Sequence, residues 1–171
     1  MMKQCVLLLI LSALCIEHAA AQQRNVKAIS VGPELNIPQR SGYNIGYGVS
    51  GKFELPVTST FSLVFIGGLH QFHAKTFFKG TTGDKDTFIP LKAGARYYVD
   101  PRFYTEGELG TVIDHNNNFD QNLFAYSLGT GFLLPLNNNT HSMIDIGLRY
   151  EDWSRNRVQQ FAIRAAYRFG W

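Results

Sequence analysis

Apolar and polar residues alternate along most of this chain, and this alternation limits the possible folds more than any other feature of the sequence. In one segment the apolar residues are Tyr43, Ile45, Tyr47, Val49, Phe53 and Leu55, with polar or small residues between them. Successive side chains of a β-strand point to opposite faces, so this segment predicts a strand with one apolar and one polar face. The same pattern predicts eight strands, at residues 27–37, 43–55, 60–72, 87–99, 103–113, 123–134, 143–151 and 160–171.

Eight amphipathic strands are compatible with two kinds of barrel. A soluble barrel turns its apolar face inward, whereas a transmembrane barrel turns it outward to the lipid. The predicted strands are close to or above the roughly 9–11 residues that a tilted membrane strand needs. Short turns at 56–59, 100–102 and 135–141 alternate with longer polar links at 73–86 and 114–122, and the first and last links are intermediate in length. Short turns at one end and longer loops at the other are typical of a transmembrane barrel.

The glycines also favour the transmembrane barrel. Ten of the 16 glycines fall on the polar face of the predicted strands: Gly32, Gly46, Gly48, Gly68, Gly94, Gly110, Gly129, Gly131, Gly147 and Gly170. The interior of an eight-stranded barrel is just wide enough for side chains, so small residues suit its crowded inner wall. On a solvent-facing wall the same glycines would weaken the strands.

The same face also carries charged residues, with as many cations as carboxylates. The predicted lumen network contains Glu34, Lys52, Glu54, Lys92, Arg96, Glu106, Glu108, Asp145, Arg149, Glu151, Arg164 and Arg168, six cations and six carboxylates. Buried charges are costly unless they are paired, so a closed lumen requires such a balance. The sequence therefore predicts a charge-paired interior that leaves no aqueous channel, because channels need nearer 16 strands.

Aromatic residues cluster toward both ends of the predicted strands. With the N-terminus on the periplasmic side, the outer group is Tyr43, Tyr47, Phe88, Phe124, Tyr126, Tyr150, Trp153 and Phe161, and the inner group is Phe53, Phe61, Tyr97, Phe103, Tyr167, Phe169 and Trp171. Two aromatic belts around an aliphatic middle are expected where a barrel crosses the two membrane–water interfaces. We therefore predict an all-β protein, an eight-stranded antiparallel up-and-down transmembrane β-barrel.

The N-terminus predicts export. Lys3 precedes a short apolar run from Val6 to Ile16, and three alanines end at Ala21. This arrangement is typical of a secretory signal peptide at residues 1–21, which leaves a barrel domain at 22–171 without cysteine. A hydrophobic content of 45% with 17% charged residues excludes a disordered chain, and a net charge of +3 is too small to indicate nucleic-acid binding. No cofactor or metal site is predicted.

The C-terminal segment F-A-I-R-A-A-Y-R-F-G-W resembles the assembly signal of bacterial outer-membrane barrels, with Tyr167, Phe169 and Trp171 at alternate positions. The segments I-P-L-K-A-G-A-R-Y-Y-V, D-P-R and F-Y-T-E-G-E-L-G resemble the central hairpin of the small outer-membrane β-barrel-domain family, which is related to porin-family and OmpA/OmpX-like proteins. The resemblance implies a monomer in the bacterial outer membrane with both termini in the periplasm. It implies outer-membrane lipids, lipopolysaccharide and the barrel-assembly machinery as partners, and it implies no particular activity or external ligand.

Several candidate sites leave the function open. His70 and His73 near the outer end of one strand, with Asp114 and His115 in a loop, could serve a lipid-A-modifying enzyme, but the sequence favours ordinary polar rim residues. Asn116, Asn117 and Asn118 beside Asp114 and His115 would be a weak cation site. Phe77 and Phe78 with Lys75, Lys79 and Lys85 could contact a partner or lipopolysaccharide phosphates, or could simply extend two strands. We expect a non-enzymatic structural, adhesive or surface-interaction protein; the alternatives are the enzyme, a narrow porin-like channel and a soluble ligand-binding barrel.

Overall fold

The computed structural model describes residues 26–74, 85–115, 122–136, 141–154 and 158–171. They form eight strands: β1 (Ala28–Arg40), β2 (Tyr43–Pro56), β3 (Phe61–Ala74), β4 (Lys85–Tyr98), β5 (Phe103–Asp114), β6 (Leu123–Pro135), β7 (Ser142–Trp153) and β8 (Val158–Gly170). Each strand pairs antiparallel with the next, and β8 pairs with β1 to close the barrel. The predicted fold class is confirmed, and each predicted strand end lies within about three residues of the observed one. The predicted signal peptide lies outside the described residues.

No helix in the described part of the chain is long and apolar enough to cross a membrane.

The two faces of the sheet have the opposite polarity from those of a soluble barrel. Ile45, Leu91 and Ile163 point outward and are 52%, 48% and 43% exposed. Lys92 and Arg164 point inward and are 5% and 4% exposed. A wall of exposed aliphatic and aromatic side chains around the whole barrel is unusual on a soluble monomer, but it is the expected surface of a barrel in lipid. The structure therefore agrees with the transmembrane orientation of the faces and disagrees with a soluble barrel that binds an apolar ligand inside.

The start of β2 differs from the prediction. The pairing of β2 with β3 shifts between Tyr43 and Gly46, so the two residues lie on the same side of the strand despite their odd separation. Such a shift adds one residue to a strand and reverses the direction of the side chains beyond it. Tyr43 therefore points into the barrel, where its hydroxyl donates a hydrogen bond to the Asp86 carboxylate at 2.8 Å. The prediction that Tyr43 faces lipid is wrong.

Two more members of the predicted outer aromatic belt lie inside the barrel. Phe88 and Trp153 are completely buried. Phe88 has the same parity as Lys92 on β4, and Trp153 has the same parity as Arg149 on β7, so strict alternation already assigns both to the inner face. Phe88 and Trp153 are therefore at the predicted height along the barrel axis but on the opposite face of the wall from a lipid-facing belt. The other outer-belt residues that are large and exposed are Tyr47, Phe124, Tyr126 and Phe161.

Gly94 and Gly107 provide a test of the observed faces, because they lie on opposite sides of the barrel wall. A methyl group on Gly94 would overlap the carbonyl oxygen of Gly107 and come within 2.9 Å of the Cα atom of Glu108. A methyl group on Gly107 would meet only the Leu128 side chain, at 3.5 Å. We expect Gly94→Ala to lower the free energy of unfolding by about 1–3 kcal/mol. The matched change Gly107→Ala should alter it by less than about 1 kcal/mol in urea titrations in lipid vesicles.

Candidate functional site in the barrel lumen

Arg96 is the centre of an ion-pair cluster at the end of the lumen nearest the chain termini. Its guanidinium lies 2.9 Å from Glu106, 3.3 Å from Glu54 and 3.3 Å from Asp145, measured between nitrogen and carboxylate oxygen. Arg168 adds a second cation to Glu54 at 3.1 Å. These residues come from β2, β4, β5, β7 and β8, so this cluster links strands on opposite sides of the barrel.

Two tyrosines that the sequence analysis did not single out complete this cluster. The Tyr98 hydroxyl donates to Glu54 at 2.5 Å, and the Tyr104 hydroxyl donates to Asp145. The guanidinium carbon of Arg96 lies 3.6 Å from the centre of the Tyr104 ring, a close cation–π contact. Both tyrosines have the same parity as the inward-facing charges of their strands, and this parity was the available signal.

A second cluster occupies the middle of the lumen and is built on two lysines. The Lys52 ammonium lies 2.5 Å from Glu106 and 3.2 Å from Glu108. The Lys92 ammonium lies 2.7 Å from Glu108 and 2.5 Å from Glu151. Glu106 and Glu108 are therefore each shared between two cations, and Glu106 joins the two clusters through Lys52 and Arg96.

Arg149 extends the second cluster toward the other end of the lumen. Its guanidinium contacts Glu34 and lies 3.0 Å from Glu151. The second Glu34 oxygen accepts a hydrogen bond from the Ser50 hydroxyl at 2.8 Å. Each carboxylate in this region thus has at least one cation or hydroxyl partner, as a buried charge requires.

Arg164 is held differently from the other lumen cations. Its Nε donates to the Ser50 hydroxyl at 2.8 Å and its Nη2 to the Ser30 hydroxyl at 3.1 Å. Its nearest described carboxylate is Asp145, at 3.7 Å. A void of about 10 Å³ lies beside it, between Lys52, Glu106 and Arg149. This volume is sufficient for about one water molecule.

All twelve charged residues predicted for the lumen point inward and take part in these contacts. Removing a carboxylate or ammonium group from water costs several kcal/mol per ion, so the interior is stable only while the pairs remain complete. The network therefore cross-links the barrel and also fills the space that a channel would need.

Above the second cluster, an aromatic and aliphatic layer crosses the lumen; we call it the cap. Its members are Tyr43, Phe72, Phe88, Val112, Leu123, Ala125, Trp153 and Val158. The rings of Phe72 and Phe88 have centres 5.6 Å apart, and the Phe88 and Trp153 centres are 5.0 Å apart, both with edge-on geometry. The indole Nε1 of Trp153 donates to Glu151 at 2.6 Å, so the cap is anchored to the ion network.

The structure places the candidate histidines apart from one another. His70 is completely buried in the lumen, with Nε2 3.6 Å from Glu34, so the expectation that it lies at the polar rim is wrong. His73 lies on the opposite face of β3, where its ring nitrogen is 3.4 Å from the Tyr47 hydroxyl. His115 follows β5 and is exposed.

The described residues contain no group of three or more acidic, cysteine or histidine side chains that could hold a metal ion. Lys75, Phe77, Phe78, Lys79, Asn116, Asn117 and Asn118 lie outside the described residues.

The three C-terminal aromatics share the outer face at the terminal end of the barrel. Tyr167, Phe169 and Trp171 are all exposed, and the Phe169 and Trp171 rings stack with centres 6.3 Å apart. The Trp171 amide donates to the Lys27 carbonyl at 2.9 Å, which ties the C-terminus to the start of β1.

Comparison with solved structures identifies the architecture. The attachment invasion locus protein Ail of Yersinia pestis is 17% identical, with a TM-score of 0.55 over 86% of this chain and 100% of Ail. The outer membrane protein OprG of Pseudomonas aeruginosa is 11% identical, with a TM-score of 0.59 over 87% of this chain and 97% of OprG. Neisserial surface protein A is 14% identical, with a TM-score of 0.51 over 84% of this chain and 94% of that protein.

The sequence itself gives no closer assignment: no family model matches it, and no curated protein matches it. The likeness therefore concerns architecture, and it agrees with the eight-strand closure described above. By its strand topology and its similarity to these solved structures, the chain has the fold of the small eight-stranded outer-membrane β-barrels.

Proposed function

We propose that this protein is an integral outer-membrane protein of a bacterial envelope with a non-enzymatic structural, adhesive or surface-interaction role. The observation that carries the proposal is the combination of an apolar outer wall with a lumen filled by ion pairs and covered by the cap. An apolar outer wall suits a lipid environment, and a filled lumen leaves the external loops as the surface that meets the environment. Ail is named for attachment and invasion, which agrees with a surface role.

We further propose that the termini lie in the periplasm and that the capped end faces outward. Residues 57–60, 99–102 and 136–141 make the connections at the end of the barrel that carries the termini. At the capped end, two of the four connections between strands are longer, 75–84 and 115–122. Outer-membrane barrels usually have short periplasmic turns and longer extracellular loops, which supports this orientation. Outer-membrane lipids and lipopolysaccharide would then surround the apolar wall of a monomeric barrel.

Two alternative functions find less support. A narrow porin-like channel conflicts with the two ion-pair clusters and with the cap, which together occupy the lumen along its length. A lipid-A-modifying enzyme needs a histidine and its partner at the lipid-facing rim, but His70 and His73 lie on opposite faces of β3. The described contacts of His73 are with Tyr47, a neighbouring surface aromatic.

The proposal predicts three results for the complete protein. It should fractionate with the outer membrane, and its gel mobility should change on heating, because the folded barrel resists detergent until it is boiled. Purified protein in planar bilayers should show no stable, large conductance, because eight strands enclose only enough space for side chains. Recovery in the soluble periplasmic fraction would overturn the membrane assignment, and a stable large conductance would overturn the filled lumen.

We also propose that Tyr167, Phe169 and Trp171 are recognised by the barrel-assembly machinery. Phe169→Ala should slow assembly into proteoliposomes that contain this machinery. Phe132→Ala is a matched control, because Phe132 is also an outward-facing aromatic but belongs to β6. Both variants should fold at similar rates in liposomes without the machinery. Equal slowing of the two variants in the presence of the machinery would contradict the proposed signal.

A further inference from the structure

A small void lies inside the lumen where the two ion-pair clusters meet. Its volume is about 10 Å³, and its wall includes the side chains of Lys52, Glu106, Arg149 and Arg164. All four side chains are more than nine-tenths buried. Cavities of roughly 10–15 Å³ hold one water molecule when two to four polar partners surround it. The size and the polarity of this void therefore both suit a water molecule.

The three cations around the void have hydrogens that their described contacts leave over. Two carboxylates use two of the three hydrogens of the Lys52 ammonium. The Arg149 guanidinium donates to carboxylates from Nε and Nη2, and its Nη1 has no hydrogen bond in the described part of the chain. Nη1 of Arg164 lies 3.7 Å from Asp145, beyond hydrogen-bond distance. The wall is therefore rich in donors, and its occupant must accept hydrogen bonds.

Glu106 supplies an acceptor for the same occupant. Its Oε2 atom accepts from Nε and Nη2 of Arg96, at 3.0 and 2.9 Å. Its Oε1 atom accepts from Lys52 at 2.5 Å, and a carboxylate oxygen can accept a second hydrogen bond. A water molecule accepts and donates hydrogen bonds, so it complements both the cations and this carboxylate.

An ion fits the void less well than a water molecule does. A metal ion would lie among three cations, which would repel it. A chloride ion is larger than a water molecule, and it would add a negative charge to a lumen network that already has six cations and six carboxylates. A neutral molecule is therefore the occupant that the volume and the charges both favour.

We propose that this void binds one water molecule that bridges Arg164 to Glu106. The water accepts a hydrogen bond from Nη1 of Arg164 and donates one to Oε1 of Glu106. The described hydrogen bonds of Arg164 are all to oxygens of Ser30 and Ser50, so the water gives its guanidinium an indirect carboxylate partner. The bridge connects β8 to β5 across the lumen. This inference concerns the lumen alone and does not depend on the role of the external loops.

A crystal structure of the folded protein, at a resolution that shows ordered water, tests the proposal directly. One peak of density should lie in the void, within hydrogen-bond distance of both Nη1 of Arg164 and Oε1 of Glu106. Crystals grown in sodium bromide should give no anomalous signal at this position. An absent peak, a peak too far from either atom or a bromide signal would each overturn the proposal.

The substitution Gly147→Ala tests the position of the site. Gly147 lines the void, and a methyl group on it would lie 3.2 Å from the Tyr104 hydroxyl and 3.8 Å from the Thr130 carbonyl oxygen. This methyl group should take the place of the water, so the density peak should be lost. Gly107→Ala is the matched control, because its methyl group would meet only the Leu128 side chain on the outer face, and it should leave the peak unchanged. Retention of the peak in Gly147→Ala would overturn the assigned walls, and the unaltered protein provides a test even if this variant does not fold.

Discussion

Leu128→Arg is expected to lower the free energy of unfolding of the barrel in phospholipid vesicles by about 2–4 kcal/mol. Leu128 points outward from the middle of β6, between the aromatic residues Tyr126 and Phe132, and is 67% exposed. On the proposed membrane barrel this side chain contacts hydrocarbon, where an arginine loses its hydration. On a soluble barrel the same substitution would exchange one exposed side chain for another and change stability by less than about 0.5 kcal/mol.

The control for this experiment is Val57→Arg. Val57 is also an exposed aliphatic residue, at 56%, but it lies in the turn between β2 and β3, outside the strands. Its replacement should change the unfolding free energy by less than about 0.5 kcal/mol, because its surroundings are water or the lipid headgroup region. Equilibrium unfolding in urea, followed by tryptophan fluorescence, measures both variants. Equal effects of the two substitutions would contradict a lipid-facing Leu128.

Lys92→Met is expected to destabilise the barrel by about 3–5 kcal/mol, because it removes one partner from a buried network of charges. Lys92 bridges Glu108 and Glu151, and all three side chains are almost completely buried. Without the lysine, Lys52 is the remaining cation on Glu108 and Arg149 the remaining cation on Glu151, and each already contacts a second carboxylate, Glu106 or Glu34. A local excess of negative charge then remains in the buried interior of the barrel.

The double variant Lys92→Met/Glu108→Gln should recover most of this loss. It removes one cation and one carboxylate, so Lys52 retains Glu106 and Arg149 retains Glu151. The glutamine also keeps an oxygen for the Ser127 hydroxyl, which donates to Glu108 at 2.8 Å. Lys27→Met, at an exposed position before β1, is the control for loss of a lysine outside the lumen. A double variant no more stable than Lys92→Met would show that the deficit is one of packing and not of charge.

The sequence determines the strands and their faces because both depend on a local pattern. The outward direction of Ile45, Leu91 and Ile163 follows from the alternation of side chains along a strand. The residue types on each face also identify the side that meets lipid, because glycine and paired charges suit a crowded interior and aliphatic residues suit hydrocarbon. The eight strands, their approximate bounds and the composition of the lumen could therefore be predicted before any pairing between strands was known.

The register shift in β2 and the partners within the lumen could not be predicted in this way. The inward direction of Tyr43 depends on how β2 pairs with β3, which local alternation does not specify. The sharing of Glu106 between Lys52 and Arg96 depends on the stagger of strands around the closed barrel. Tyr98 and Tyr104 belong to neither the predicted aromatic belts nor the predicted lumen network, because that network was defined by charge alone, although the parity of both positions is that of the lumen.

The cap separates two regions of the molecule that can change independently. Its rings close the barrel between the charged interior and the connections 75–84, 115–122 and 155–157, so these connections begin and end above a layer that is already packed. New sequences inserted there would meet this packed layer before they could reach the two ion-pair clusters. The barrel is thus suited to display loops of varied length and composition while its own stability stays constant, which makes it a promising frame for grafted peptides.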